Sequence, residues 1–208
     1  METKILSFID QECLKIINDG DVLAFPTETV YGLGIIYDQE KAFTTLCALK
    51  ERPPEKPFTI MLSKKEDIHL FVDVDENIQR VIDTFMPGEI TLLLKAKNGL
   101  YPWLTLKEKT VGIRISSNKD VQDLIQRVNK PMLVTSANMS GSAPLLNTDD
   151  VYKVFNNKIR GIVKGKVDSC LPSTIVLIID NEIKLIRQGS IEFNKIKEVY
   201  ENENCSCL

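Results

Sequence analysis

Histidine is nearly absent from this 208-residue chain, and His69 stands alone. An imidazole-built zinc site, or a triad that passes its proton through histidine, is therefore excluded as the engine of the protein. Its setting, Asp67-Ile68-His69-Leu70-Phe71, reads as the end of a short helix, so His69 is taken as structural. The five cysteines (Cys13, Cys47, Cys170, Cys205, Cys207) form no CxxC pair, which fits reduced thiols in a cytoplasmic protein and not a disulfide framework. No apolar run approaches membrane-spanning length, and the N-terminal METKILSFIDQE carries no long apolar stretch. A net charge of −3 supplies no global basic field for nucleic acid. GxxxxGK[ST], GxGxxG and GxSxG are also missing. The tail Cys205-Ser206-Cys207-Leu208 formally matches a prenylation signal, but no polybasic run precedes it and the match is set aside.

What is present is an ordinary globular composition, 43% hydrophobic and 26% charged, long enough to bury a sizeable core. Strand and helix patterns interleave without a linker or a repeat. The pattern predicts a single α/β domain over residues 1–208, around one open, twisted, mixed sheet with helices on its faces. Apolar spacing predicts a first helix over residues 3–19, closed by Gly20, then a strand Val22–Phe25. Asp38 is placed to cap a second helix that ends in Lys50-Glu51-Arg52 and is stopped by Pro53-Pro54. Phe58–Leu62, Ile90–Ala96, Val111–Ile115, Met132–Thr135, Thr174–Ile179 and Ile183–Ile186 read as strands, and Ser63 with Glu66 as a capping box.

Four polar stretches interrupt this pattern. Phe25–Gly34 (FPTETVYGLG) places Thr27, Glu28 and Thr29 after a buried strand, with Gly32 and Gly34 read as a flexible loop behind them. Alone it reads equally as a tight turn. Lys50-x-Arg52 suits either a helix-dipole contact or a clamp for phosphate or carboxylate. Arg114 within the apolar VGIRI points opposite to Ile113 and Ile115, towards solvent or a buried anion. Ser136–Gly141 (SANMSG) offers hydroxyls and backbone amides after a strand, as a capping loop or as a phosphate cradle. Cations and hydroxyls without an evident base suit anion binding and charge-stabilised transfer at phosphorus.

In order along the chain, FPTETVYGLG, KxR with the following KPFTIML, PGEITLLLKA, TVGIRIS, TSANMSGSAP, PSTIV and IRQGSI resemble the YrdC-type threonylcarbamoyl-AMP synthases over roughly residues 5–191. The resemblance is to the short form, without the extra C-terminal domain of longer relatives. It implies an open α/β sheet with a concave positive cleft. The implied reaction turns L-threonine, bicarbonate and ATP into threonylcarbamoyl-AMP and pyrophosphate, for N6-threonylcarbamoyladenosine at position 37 of tRNA.

By the same resemblance, Thr29, Arg114 and Ser173 meet the threonine substrate, with Thr27 and Tyr31 shaping the pocket. Lys50 and Arg52 are the implied catalytic cations. Arg52, Lys56, Thr110, Ser136, Asn138, Ser140 and Arg187 are the implied nucleotide contacts. Mg2+ is expected on the ATP itself, with no protein-held metal. The implied partners are ATP, L-threonine and bicarbonate, a weak contact with tRNA and a separate threonylcarbamoyl-transferase complex, with no membrane. The sequence departs from the family pattern at Lys56, Met61, Pro144 and Gln188. The competing expectation is a non-catalytic module that binds tRNA or double-stranded RNA, against which the net charge of −3 weighs.

Overall fold

A computed structural model describes residues 2–51, 58–105, 109–167, 169 and 171–202. In chain order the strands are β1 (Lys4–Leu6), β2 (Leu23–Pro26), β3 (Tyr31–Ile36), β4 (Thr59–Leu62), β5 (Ile90–Lys95), β6 (Thr110–Ile115), β7 (Met132–Ser136), β8 (Gly161–Val163), β9 (Thr174–Ile179) and β10 (Glu182–Arg187). The helices are α1 (Gln11–Asn18), α2 (Glu40–Lys50), α3 (Glu76–Phe85), α4 (Lys119–Val128), α5 (Thr148–Phe155) and α6 (Phe193–Glu201). All ten strands join one open sheet in the order β1-β8-β2-β3-β7-β4-β6-β5-β9-β10. It is mixed: β4 runs parallel to β6 and β5 to β9, whereas β3 and β7, β4 and β7, and β5 and β6 pair antiparallel.

Period-two alternation sends each strand's side chains to opposite faces. On one face Leu33, Ile60, Ile113, Leu133, Leu92 and Val176 pack in a core shared with residues of α2, α3, α5 and α6. On the other face Leu23, Phe25, Met132 and Val134 pack against α1 and α4. The helices obey the same logic: Val121, Leu124, Ile125 and Val128 make one buried stripe on α4, whose first amides are capped by the Asn118 side chain. Asp75 caps α3 and Asn147 caps α5 in the same way.

Several sequence expectations need correction. Residues 3–19 are not one helix, because Lys4–Leu6 pairs in parallel with β8 and the helix begins only at Gln11. Gly32 and Gly34 lie inside β3, not in a flexible loop. A Cβ on Gly34 would meet Phe25 at 2.6 Å and Met132 at 2.7 Å, so the glycine there admits packing from neighbouring strands. Asp38 does not cap α2; its carboxylate accepts from Lys130. The segment after Ser63 is a 3-10 helix, Glu66–Leu70, without a side-chain cap, and His69 on it is exposed. Arg52, Pro53, Pro54, Lys56, Cys170 and the CSCL tail lie outside the described residues.

Candidate active site

A cavity of about 620 Å3 opens on the sheet face that carries α1 and α4, and none of its described lining residues belongs to a helix. Its floor follows the strand register. Gly112 of β6 sits between Thr59 of β4 and Leu93 of β5, and Arg114 lies opposite Met61. Gly112 keeps this floor low, since a Cβ there would already be 3.2 Å from Leu93. The walls are the Thr27–Val30 turn, the segment from Ser136 to Pro144, and Pro172-Ser173 with Arg187.

Arg114 is the best-anchored charge in the cavity. It is 7% exposed, and its Nη2 donates to Glu28 Oε1 at 2.7 Å and to Thr29 Oγ1 at 2.9 Å. Glu28 in turn accepts from the Ser116 hydroxyl and from the Ser117 amide at 3.2 Å. Thr29 is fixed by Thr27, whose Oγ1 lies 3.1 Å from Thr29 Oγ1 and donates to the Val30 carbonyl at 2.6 Å. The buried Arg114 Nε has no hydrogen-bond partner among the described residues. A buried guanidinium edge left open beside a cavity is a place for an acceptor to bind.

On the opposite wall, Ser173 Oγ lies 3.0 Å from Thr91 Oγ1 and accepts from Arg187 Nη2 at 3.1 Å. Arg187 also donates twice to the Ser173 carbonyl, which locks the guanidinium over the cavity rim. Crowding by protein atoms, and then the like charge of Arg114, lower the Arg187 pKa from its ordinary value. No described lining residue is acidic, so two guanidiniums face hydroxyls and backbone. Among the described residues no group of three histidine, cysteine, aspartate or glutamate side chains is placed to hold a metal ion.

The third wall is built by Lys50. Its buried ammonium donates to the carbonyls of Ser136 (2.5 Å) and Asn138 (2.7 Å) and to Asn138 Oδ1 (3.1 Å). Ser136 Oγ donates to the same Oδ1 at 2.5 Å. Lys50 is thus a brace behind the loop and not a lining cation, since a side chain spent on carbonyls presents its charge through the loop it holds.

Of the residues expected at the site, Thr27, Thr29, Arg114, Ser136, Asn138, Ser173 and Arg187 all line this one cavity. Besides Lys50, three others do not. Tyr31 is on the opposite face of β3 from Gly32, and its hydroxyl bonds Thr148, Val163 and Gly165, with burial raising its pKa. Thr110 shares a strand face with Gly112 and Arg114 but is fully buried off the cavity. Ser140 is exposed, its amide donating to the Lys50 carbonyl, and Ser142 lines the cavity in its place. Arg52 and Lys56 lie outside the described residues. Sequence reasoning missed the joint placement of Glu28 with Ser116, and of Thr91 with Ser173, which face one another across 88 and 82 residues. The one available signal was Glu28 itself, a carboxylate in a stretch of hydroxyls.

The class of protein is thus an open α/β sheet protein whose cavity is lined by hydroxyls, loop residues and two guanidiniums. The comparisons with known proteins narrow this. Residues 15–189 match the Sua5, YciO and YrdC family, described as telomere recombination, and the chain belongs to that family. A Methanocaldococcus jannaschii protein provisionally named threonylcarbamoyl-AMP synthase is 32% identical over 194 residues, covering 93% of this chain and 89% of its own. The structure of P. abyssi Sua5 complexed with L-threonine superposes with a TM-score of 0.85 at 28% identity, covering 90% of this chain and 56% of that one. This chain therefore spans little more than half of that relative. E. coli YciO superposes with a TM-score of 0.79 at 25% identity, covering 86% of this chain and 87% of its own.

Proposed function

We propose that this chain is an L-threonylcarbamoyladenylate synthase, a nucleotidyltransferase that takes L-threonine, bicarbonate and ATP to threonylcarbamoyl-AMP and pyrophosphate. The observation that carries this reading is the meeting of Arg114, Thr29, Ser173, Arg187 and the Ser136 loop around one cavity. A carboxylate clamp, hydroxyls for a hydroxy amino acid and a polar loop for phosphate are what the two substrates require together. The names of the M. jannaschii relative and of the threonine complex of P. abyssi Sua5 support it.

In this reading Arg114 holds the threonine carboxylate through the guanidinium edge that Glu28 and Thr29 leave open. The threonine amine adds to CO2 from bicarbonate, losing a proton to give a carbamate. A carbamate oxygen then attacks the α-phosphorus of ATP, and the bond to pyrophosphate breaks as the new phosphorus–oxygen bond forms. Positioning and charge stabilisation do the work, without a protein nucleophile. Ser136 and Asn138, braced by Lys50, face the phosphates, and Arg187 meets the charge that develops there. Arg52 and Lys56, which lie outside the described residues, are assigned to the same phosphates by the family resemblance alone. Magnesium enters with ATP as part of the substrate. The product is a mixed anhydride, and its consumer is a separate transferase acting on adenosine 37 of tRNA.

The test is pyrophosphate release from MgATP with threonine or bicarbonate omitted in turn. Release that needs both is expected. Release without threonine, or none alongside tight binding of tRNA, would overturn the reading in favour of an ATPase or an RNA-binding module.

A further inference from the structure

Glu28 belongs to no substrate-facing set: it does not line the cavity, and its acceptor capacity is turned to the protein. Its side chain, 12% exposed, takes Arg114 Nη2, the Ser116 hydroxyl and the Ser117 amide at once. A carboxylate held by three donors cannot swing to follow its arginine, so the arginine is held by it. Both Nη2 hydrogens are taken, one by Glu28 and one by Thr29 Oγ1, so the guanidinium has a single rotational setting. In that setting Nε is left without a partner among the described residues although Arg114 is only 7% exposed. Ser116 also receives the Asn118 amide, and the Asn118 side chain caps α4. The carboxylate is therefore tied to the end of β6 and the start of α4, while Thr29 ties Arg114 to the Thr27 turn.

We infer that Glu28 is a positioning residue that sets the orientation of Arg114, and through it the affinity for the amino-acid carboxylate. This rests on the synthase reading for its ligand, but the geometry of Arg114 can be read without it. A guanidinium already fixed by Glu28 and Thr29 offers its open Nε edge to a carboxylate without first having to be ordered, which favours one carboxylate in one pose. The site is then tuned to one carboxylate in one orientation, and ATP is bound elsewhere in the cavity by groups that do not touch Glu28.

The test uses wild type, Glu28→Gln, Arg114→Ala and the double variant. Glutamine keeps the shape and removes the charge. KM for threonine is expected to rise at least about tenfold in Glu28→Gln with KM for ATP within about twofold, consistent with loss of a charge-assisted hydrogen bond. Added to Arg114→Ala, the same change is expected to cost less than about twofold, because its target is gone. Equal rises in both KM values, an unchanged KM for threonine, or full multiplication in the double variant would overturn the inference. In parallel, nitrogen-15 spectra of the arginine guanidiniums are expected to show slow rotation for Arg114 in wild type and fast rotation in Glu28→Gln. Fast rotation in wild type overturns the inference. Slow rotation in an enzyme that makes no adenylate keeps the positioning and rejects the synthase reading. Glu28→Asp, whose shorter arm breaks the same bond with the charge retained, replaces Glu28→Gln should the latter fail to fold.

Discussion

Arg114 stands at the centre of the site at residue scale, held from one side by Glu28 and Thr29 and open on the other. Replacing it with alanine should keep the fold, because Glu28 retains Ser116 and Ser117 as donors. Turnover should fall by about a hundredfold or more, the usual effect of losing a preorganised charge contact. Arg52→Ala should do likewise with an unchanged melting temperature. Pyrophosphate release and thermal unfolding check both; near-normal turnover in the two variants would reject the assignment. Cys13 offers a prediction of a different kind. Burial on the inner face of α1, and then the charge of Asp10, push the thiol from 9.0 up to about 11. The neutral thiol is the form that the fold favours, so the stability it contributes is complete below pH 9. It is lost as pH rises from there towards 11. Cys13 should resist alkylation at pH 8 in the native protein, and Cys13→Ser should flatten the fall in melting temperature above pH 9.

At the scale of elements, the cavity depends on short connections that bring hydroxyls to the ends of strands. Thr174 Oγ1 donates to the Ile191 carbonyl and accepts from the amides of Gly189 and Ile191, which closes the end of β10 against the start of β9. A side chain at Gly189 would run into the Pro172 carbonyl and come within 2.5 Å of Ser173 C and Thr174 N. Gly189→Ala should therefore displace Ser173 and Arg187 together, costing at least about 2 kcal/mol in denaturant unfolding and most of the threonine affinity. A variant as stable and active as wild type would show that this close approach does not set the wall. Strands were legible here where an apolar period ran long: β5, β6 and β9 fall where the periodicity puts them. The first strand was not, because Lys4–Leu6 is three residues long and owes its conformation to β8, more than 150 residues away. Gly32 and Gly34 were read by local freedom, whereas the packing of Phe25, Met132 and Val134 against them decides their strand. Tyr31 followed from adjacency to the motif. Strand alternation, once β3 is recognised, turns it away from the cavity.

At the scale of the molecule, α1 and α4 cover part of one sheet face, and the cavity opens on the same face, lined by strand and loop residues. Site residues come from stretches more than 150 positions apart, Thr27 to Arg187, and only the sheet order brings them to one place. That order cannot be derived from local pattern; Thr27–Thr29, Arg114 and Ser136–Asn138 carried their own polar signature, whereas Ser173 and Arg187 were assigned by the family resemblance. No described helix is long and apolar enough to cross a membrane. Joining the two substrates in one product is the central claim, and carbon-13 bicarbonate tests it most directly. Incubated with MgATP and threonine, the protein should yield a threonylcarbamoyl-adenylate heavier by the one isotopic unit, with pyrophosphate formed in equal amount. Consumption of ATP with no label in any adenylate, or labelled product formed without threonine, would contradict the account.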